Sequence, residues 1–307
     1  MHRRQFLTHA LAVASAPLAF STARAMSPLD VTGTMQPIGR TRPSHLKLSL
    51  AAYSFRQELD FKAPKMDLFG FIDFAADQGL DAVEPTSYWF KPGFDADYLH
   101  RLQQYAFLRG LDISGTAIRN DFCVAPGPKR DEELRNIKTW IDHAAELTAP
   151  VVRIFGGTVP KGDSEDASAH RVIEGIEAVL PHAVERGVTL ALENHGGITA
   201  TPAQLLKLVQ GVHAPDGGFG VNLDTGNFHG EDPYAELAEL APYAVNVQVK
   251  TEISRKGKKK EEADLSKIIG ILRDAKYSGY VVLEYEAAED PRTAVPRYLK
   301  QLRDLIG

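Results

Sequence analysis

The stretch 244-AVNVQVKTEI-253 alternates almost residue by residue. Val245, Val247 and Val249 fall on one side of an extended chain, and Asn246, Gln248 and Lys250 on the other. Successive side chains of a strand point to opposite faces, so the pattern reads as a strand with one apolar and one polar side. By itself it fits a half-exposed strand at a protein surface. Three further stretches follow the same plan: 188-VTLALENH-195, 219-FGVNLDTGN-227 and 280-YVVLEYE-286. Each places an acid on its smaller side, Glu193, Asp224 and Glu284. Four strands that each deliver a polar residue at the same relative height need a common centre to point to.

Outward from these stretches, short apolar runs alternate with longer helical patterns from Leu46 onward. Strands are expected over 46–53, 80–85, 111–118, 150–156, 188–194, 218–224, 244–250 and 279–285. Helices are expected over roughly 65–78, 95–109, 131–147, 165–186, 202–211, 233–242, 264–276 and 291–305. Gly79, Gly110, Gly187 and Gly279 stand where a left-handed residue ends a helix, and Thr201-Pro202 and Asp232-Pro233 read as helix starts. Eight strand–helix units in about 260 residues match a closed (β/α)8 barrel, a single TIM barrel domain over 45–307. An open doubly wound sheet would carry a glycine-rich first turn and strands apolar on both sides. Here Leu190 and Leu192 oppose Ala191 and Glu193, and Phe219, Val221 and Leu223 oppose Gly220, Asn222 and Asp224. In a barrel the bulky side faces the helices, and the polar residues converge at one mouth.

Glu193, Asp224, Gln248 and Glu284 would then meet near the ends of four consecutive strands. A lone acid at a strand end is usually a helix cap or a salt-bridge partner, but three acids and an amide in phase demand neutralisation by protons or a cation. Three carboxylates and an amide oxygen are a hard donor set, suited to Mn²⁺ or Mg²⁺ before Co²⁺ or Zn²⁺. His195, Lys250, Arg153 and Glu84 share the inward parity, and Arg153 is expected either to pair with Glu84 or to hold a substrate oxygen. Tyr88, Trp89 and Phe90 are candidates to stack on a sugar ring. Asn120 and Asp121, after the third strand, are further candidates to line the mouth, or else form an ordinary turn.

The pieces 192-LENH-195, 222-NLDTGN-227, 247-VQVK-250 and 283-LEY-285 resemble the xylose isomerase-like, or sugar phosphate isomerase/epimerase, TIM barrels. The resemblance runs from about Leu46 to Leu305. It implies one divalent metal held by a Glu, an Asp, a His and a second Glu, of which Glu193, Asp224 and Glu284 match three. Gln248 stands where the family has the His of a His-x-Lys motif. The implied chemistry is isomerisation or epimerisation of a sugar or keto-sugar by proton transfer beside a carbonyl, through an enediolate. Glu193 and Glu284 would move the proton, and Asn227 of the second motif joins the substrate-binding candidates. A lyase or hydratase acting on 3-keto-glycosides would use the same first step, and a sugar-binding module that has lost its metal is the non-catalytic alternative. A nuclease of the endonuclease IV type would want several metal-site histidines and a basic face.

The remaining sequence bounds the setting. Of 307 residues 44% are hydrophobic and 24% charged, the balance of an ordinary globular protein. The single cysteine, Cys123, rules out an internal disulfide and reads as a small core residue. Residues 1–25 hold Arg3-Arg4, an apolar run from Leu11 to Phe20 and Ala23-Arg24-Ala25, the plan of a signal peptide. The run is too short for a permanent membrane span. Arg3-Arg4-Gln5-Phe6-Leu7 resembles the twin-arginine export motif, which implies a periplasmic protein cleaved after Ala25. Loss of three arginines leaves 32 basic residues against 40 acids, a net charge of −8, which argues against nucleic acid as a partner. Residues 26–44, rich in Pro and Gly, read as a flexible leader. The run 255-RKGKKKEE-262 reads as a solvated loop or a basic flap over the mouth.

Overall fold

Residues 35–307 are described by the computed structural model of the chain; the expected signal peptide lies outside them, as does the leader up to residue 34. The strands are β1 (Leu46–Ala51), β2 (Ala82–Glu84), β3 (Asp112–Ile113), β4 (Thr116–Ala117), β5 (Val151–Ile154), β6 (Thr189–Glu193), β7 (Phe219–Asp224), β8 (Ala244–Val249), β9 (Glu252–Ile253), β10 (Glu261–Glu262) and β11 (Gly279–Leu283). Nine of them form one parallel sheet in the order β3-β2-β1-β11-β8-β7-β6-β5-β4. The first strand pairs with the last, Leu46 opposite Gly279 through Leu50 opposite Leu283. The third barrel strand is divided: β3 pairs with β2, β4 with β5, and a bridge between Thr86 and Ala117 all but closes the ring. At the break Ser114 turns its hydroxyl to Ser49 Oγ at 2.8 Å inside the barrel. Gly115 follows because a Cβ there would stand 3.2 Å from the Val151 carbonyl oxygen.

Eight helices surround the sheet: α1 (Leu68–Asp77), α2 (Ala96–Leu108), α3 (Pro128–Glu146), α4 (Glu165–Glu185), α5 (Pro202–Gly211), α6 (Pro233–Leu240), α7 (Leu265–Asp274) and α8 (Pro291–Ile306). Leu48, Leu50, Leu190, Leu192, Val221, Leu223, Val281 and Leu283 fill the layer between strands and helices and are fully or almost fully buried. Each such side chain contributes about 1.5–3 kcal/mol by leaving water. Helix starts follow the capping residues: the Thr201 hydroxyl accepts from the Gln204 amide, Gln204 answers with its own side chain, and Pro202 takes the first turn. Helix ends differ in one respect from expectation. Gly79, Gly110 and Gly187 do take left-handed φ values of 63°, 74° and 70°. After α7, however, the left-handed residue is Lys276 at 52°, and Gly279 instead opens β11; after α3 it is Thr148 at 57°.

The alternation in β8 begins later than its sequence suggests. Val221 pairs with Ala244, but Asn222 pairs with Asn246, so Val245 is an extra residue in the strand. Its methyl groups pack where a Cβ on Gly220 would be, which is why that position is glycine. The leader is also not loose where it is described. Ile38 donates its N–H to Pro242 O at 2.9 Å, and Arg40 hydrogen-bonds Ala244 O and lies over the Tyr277 ring. Residues 35–44 thus form a strap across the N-terminal end of the barrel. Among the described residues no helix is long and apolar enough to cross a membrane.

Candidate active site

The cleft at the C-terminal ends of the strands has a volume of about 530 Å³, in the range of small-molecule sites. Glu193 at the end of β6 and Glu284 just after β11 both line it, although only 3% and 6% of their surfaces are exposed. Arg153, Lys250, His195 and Asn227 share the wall. Asp224, Gln248, Glu84 and Trp89 do not.

Glu193 is held from two sides. Its Oε1 accepts from Asn227 Nδ2 at 3.0 Å, and its Oε2 stands 2.8 Å from Arg153 Nε. Of the two alternatives for Arg153, the pairing with Glu84 is not found: the arginine pairs with Glu193, fixed by a 2.7 Å bond to Ile118 O and seated over the Phe155 ring, and it lines the cleft. Burial pushes the Glu193 carboxyl well above the usual range; Arg153 opposes this, while Asp224 and Glu284 add to it. Asp224 is pushed up by burial as well, with Lys250 opposing and Glu284 adding to the shift. Lys250 Nζ lies 3.4 Å from Asp224 Oδ2, 3.3 Å from Glu284 Oε1 and 3.0 Å from Glu286 Oε1. Burial works against its charge, but the three carboxylates outweigh burial and hold it protonated. Two buried oxygens without a hydrogen bond, Glu193 Oε2 and Asp224 Oδ2, are thus the ones that face the two cations.

Glu84 and Gln248 lie one layer deeper, in a closed ring of side chains across the barrel. Gln248 Nε2 donates to Glu84 Oε1 at 2.6 Å, and Asn246 Nδ2 donates to Glu84 Oε2 at 2.9 Å and to Asn222 Oδ1 at 2.8 Å. Asn222 Nδ2 completes the ring on Gln248 Oε1 at 2.7 Å. Glu84 accepts through both oxygens, so the amide nitrogens of Gln248 and Asn246 turn toward it; burial pushes its own pKa up, and these two donors oppose the shift. Glu84 is fully buried and touches no space a substrate enters.

Two asparagines fix the strand ends around the cleft. Asn194 accepts from the Asp224 N–H and donates to its carbonyl, joining β6 to β7; Asn120 does the same for Phe155, joining the end of β4 to β5. Asn120 and Asp121 both line the cleft, and Asn120 is a clamp between strand ends rather than an ordinary turn residue. Tyr53 and Tyr88 line the cleft, while Trp89 packs edge-on against both at 5.6 Å between centroids. His195 sits at the rim against Phe155, its pKa lowered to about 4 by burial and by the nearby Arg153 and Lys250, so it is neutral at physiological pH. Glu286 and Arg119 also line the wall and were not anticipated. Both lie past the ends of their strands, Glu286 after β11 and Arg119 after β4, where the alternation carries little information. The basic run after β8 forms the β9–β10 hairpin. Arg255, Lys256 and Lys260 pair there with Glu261, Glu231 and Glu252, and none reaches the cleft.

The donor set expected for a divalent metal, Glu193, Asp224, Gln248 and Glu284, does not fit one as placed. The Gln248 oxygen is engaged by Asn222, Glu193 is matched by Arg153, and an ammonium already stands between Asp224 and Glu284.

A ring of parallel strands with a polar cleft at their C-terminal ends is the TIM-barrel enzyme plan. The chain belongs to the xylose isomerase-like TIM barrel family, whose sequence profile matches residues 72–305. It is 23% identical over 225 residues to the 2-oxo-tetronate isomerase of Pectobacterium atrosepticum, covering 69% of this chain and 83% of that protein. Among solved structures, D-psicose 3-epimerase from Clostridium cellulolyticum superposes with a TM-score of 0.65 at 16% identity, covering 84% of this chain and 91% of that one. The 3-keto-D-glucoside 4-epimerase of E. coli gives 0.62 at 16% identity, with 85% and 99% covered.

Proposed function

We propose that the protein is an isomerase or epimerase of a sugar or keto-sugar, working by proton transfer at the carbon beside a carbonyl. The observation that carries this reading is the pair of buried carboxylates, Glu193 and Glu284, facing one cleft from strands β6 and β11. The names of the relatives agree with it in kind. One carboxylate removes the proton, negative charge develops on the carbonyl oxygen beside the cationic wall of Arg153 and Lys250, and a carboxyl returns the proton. Return by the same group to the neighbouring carbon gives an isomer, and return from the opposite face gives an epimer. Tyr53 and Tyr88 offer rings to the sugar, and Asn227 keeps Glu193 aimed. A divalent metal has no part in this proposal, because the donors as placed do not fit one.

Incubation with a panel of sugars and keto-sugars in D₂O tests it. Deuterium is expected at the carbon beside the carbonyl of the true substrate. Glu193→Gln and Glu284→Gln keep the size and remove the base, and each is expected to slow exchange about 10²–10⁴-fold. Wild-type exchange in either variant refutes the two-carboxylate mechanism, and loss of a leaving group from the labelled product would indicate a lyase instead.

We also propose export through the twin-arginine route, supported by Arg3-Arg4 and Ala23-Arg24-Ala25. N-terminal sequencing of exported protein is expected to begin at Met26. Export unchanged in the doubly substituted Arg3→Lys, Arg4→Lys chain would remove the twin-arginine claim.

A further inference from the structure

Lys250 is built into the site rather than laid over it. Its side chain is 9% exposed, and its backbone N–H donates to Thr225 Oγ1 at 2.9 Å. The stem crosses the turn after β7 directly above Gly226, where a Cβ would meet Lys250 Cγ at 2.6 Å and Cβ at 2.8 Å. The ammonium lies 5.8 Å from the centre of the Tyr53 ring. It ends among Asp224, Glu284 and Glu286, all at 3.0–3.4 Å. The Gln248 oxygen, meanwhile, is turned to Asn222 because Glu84 holds the other end of the amide.

We infer that Lys250 takes the place of a divalent metal in this chain: the ammonium neutralises Asp224 and Glu284 and acts as the electrophile, so that the reaction needs no bound metal ion. The inference rests on the proton-transfer reading. The proton leaves the carbon for the Glu193 carboxylate, the C–H pair becomes the C=C bond, and the carbonyl π pair moves onto oxygen. That oxygen accepts a hydrogen bond from Lys250 Nζ. The reverse flow returns the proton from a carboxyl to carbon, and no oxidant, reductant or co-reactant is consumed. A fixed N–H donor at a developing oxyanion is the same device other enzymes build from backbone amides.

The test uses the full-length protein, purified without added metal and dialysed against a chelator. Mn²⁺ is then titrated while the free-ion EPR signal is recorded, and solvent exchange is measured in parallel. The expected result is a signal that grows as it does in buffer alone, with exchange unaffected by chelation. Lys250→Met, checked for unchanged thermal unfolding, is expected to lose exchange by about 10²–10³-fold. Uptake of one Mn²⁺ per chain with exchange lost on chelation overturns the inference, and so does wild-type exchange in folded Lys250→Met. If no sugar exchanges with or without Mn²⁺, the proton-transfer reading falls; the EPR titration still decides whether the ammonium fills the cation's place.

Discussion

Glu193 lies under opposed influences, burial raising its pKa and Arg153 lowering it, and its usefulness as a base depends on their balance. A base must be ionised to take a proton, so activity falls on the acid side as Glu193 protonates. Because burial wins, the acid limb of kcat/KM is expected above the ordinary glutamate value of about 4.3. Arg153→Met removes the opposing charge, so the limb is expected to move to higher pH while the ring around Glu84 stays intact. A limb that stays in place would mean Glu193 is not the base it reports. The inward parity of Glu193, Glu284, Arg153 and Lys250 was legible in the alternation of single strands. The depth of Gln248 was not, because it is set by Glu84, 164 residues away in the chain. Nothing local in 247-VQVK-250 says which way an amide faces.

Five helices, α1 to α4 and α7, end in one motif, in which the residue after the left-handed one bonds back to the last turn. Leu80, Leu111, Ala149, Val188 and Tyr277 donate to Ala75, Ala106, Ala144, Ala183 and Leu272. Three use glycine at the left-handed position, and two place Thr148 and Lys276 there. A side chain in that region costs roughly 1–2 kcal/mol, partly offset by the extra freedom glycine gives the unfolded chain. Thr148→Gly is therefore expected to stabilise the protein by about 0.5–1 kcal/mol, more than Lys276→Gly because Thr is β-branched. Urea unfolding with a raised midpoint and unchanged slope checks this. Helix positions were legible to within a few residues because caps and periodicity agree. The break at Ser114-Gly115 and the bulge at Val245 were not, because both are made by neighbours: the Val151 carbonyl for one and the space over Gly220 for the other.

At the scale of the whole molecule, the pairing of β1 with β11 joins the two ends of the chain. The cleft and the strap of residues 35–44 lie at opposite ends of the barrel that this pairing closes. Pro242 and Ser278 precede, and Ala244 opens, the strands whose far ends carry Lys250 and Glu284; they receive Ile38, His45 and Arg40. Residue 35 therefore stands at the end of the barrel opposite the cleft. A bulky fusion or surface tether at Met26 is expected to leave KM unchanged, whereas the same tether on the β9–β10 hairpin would crowd the side where substrate enters. An immobilised form of the protein accordingly has a natural handle, set by the direction in which its first strand runs.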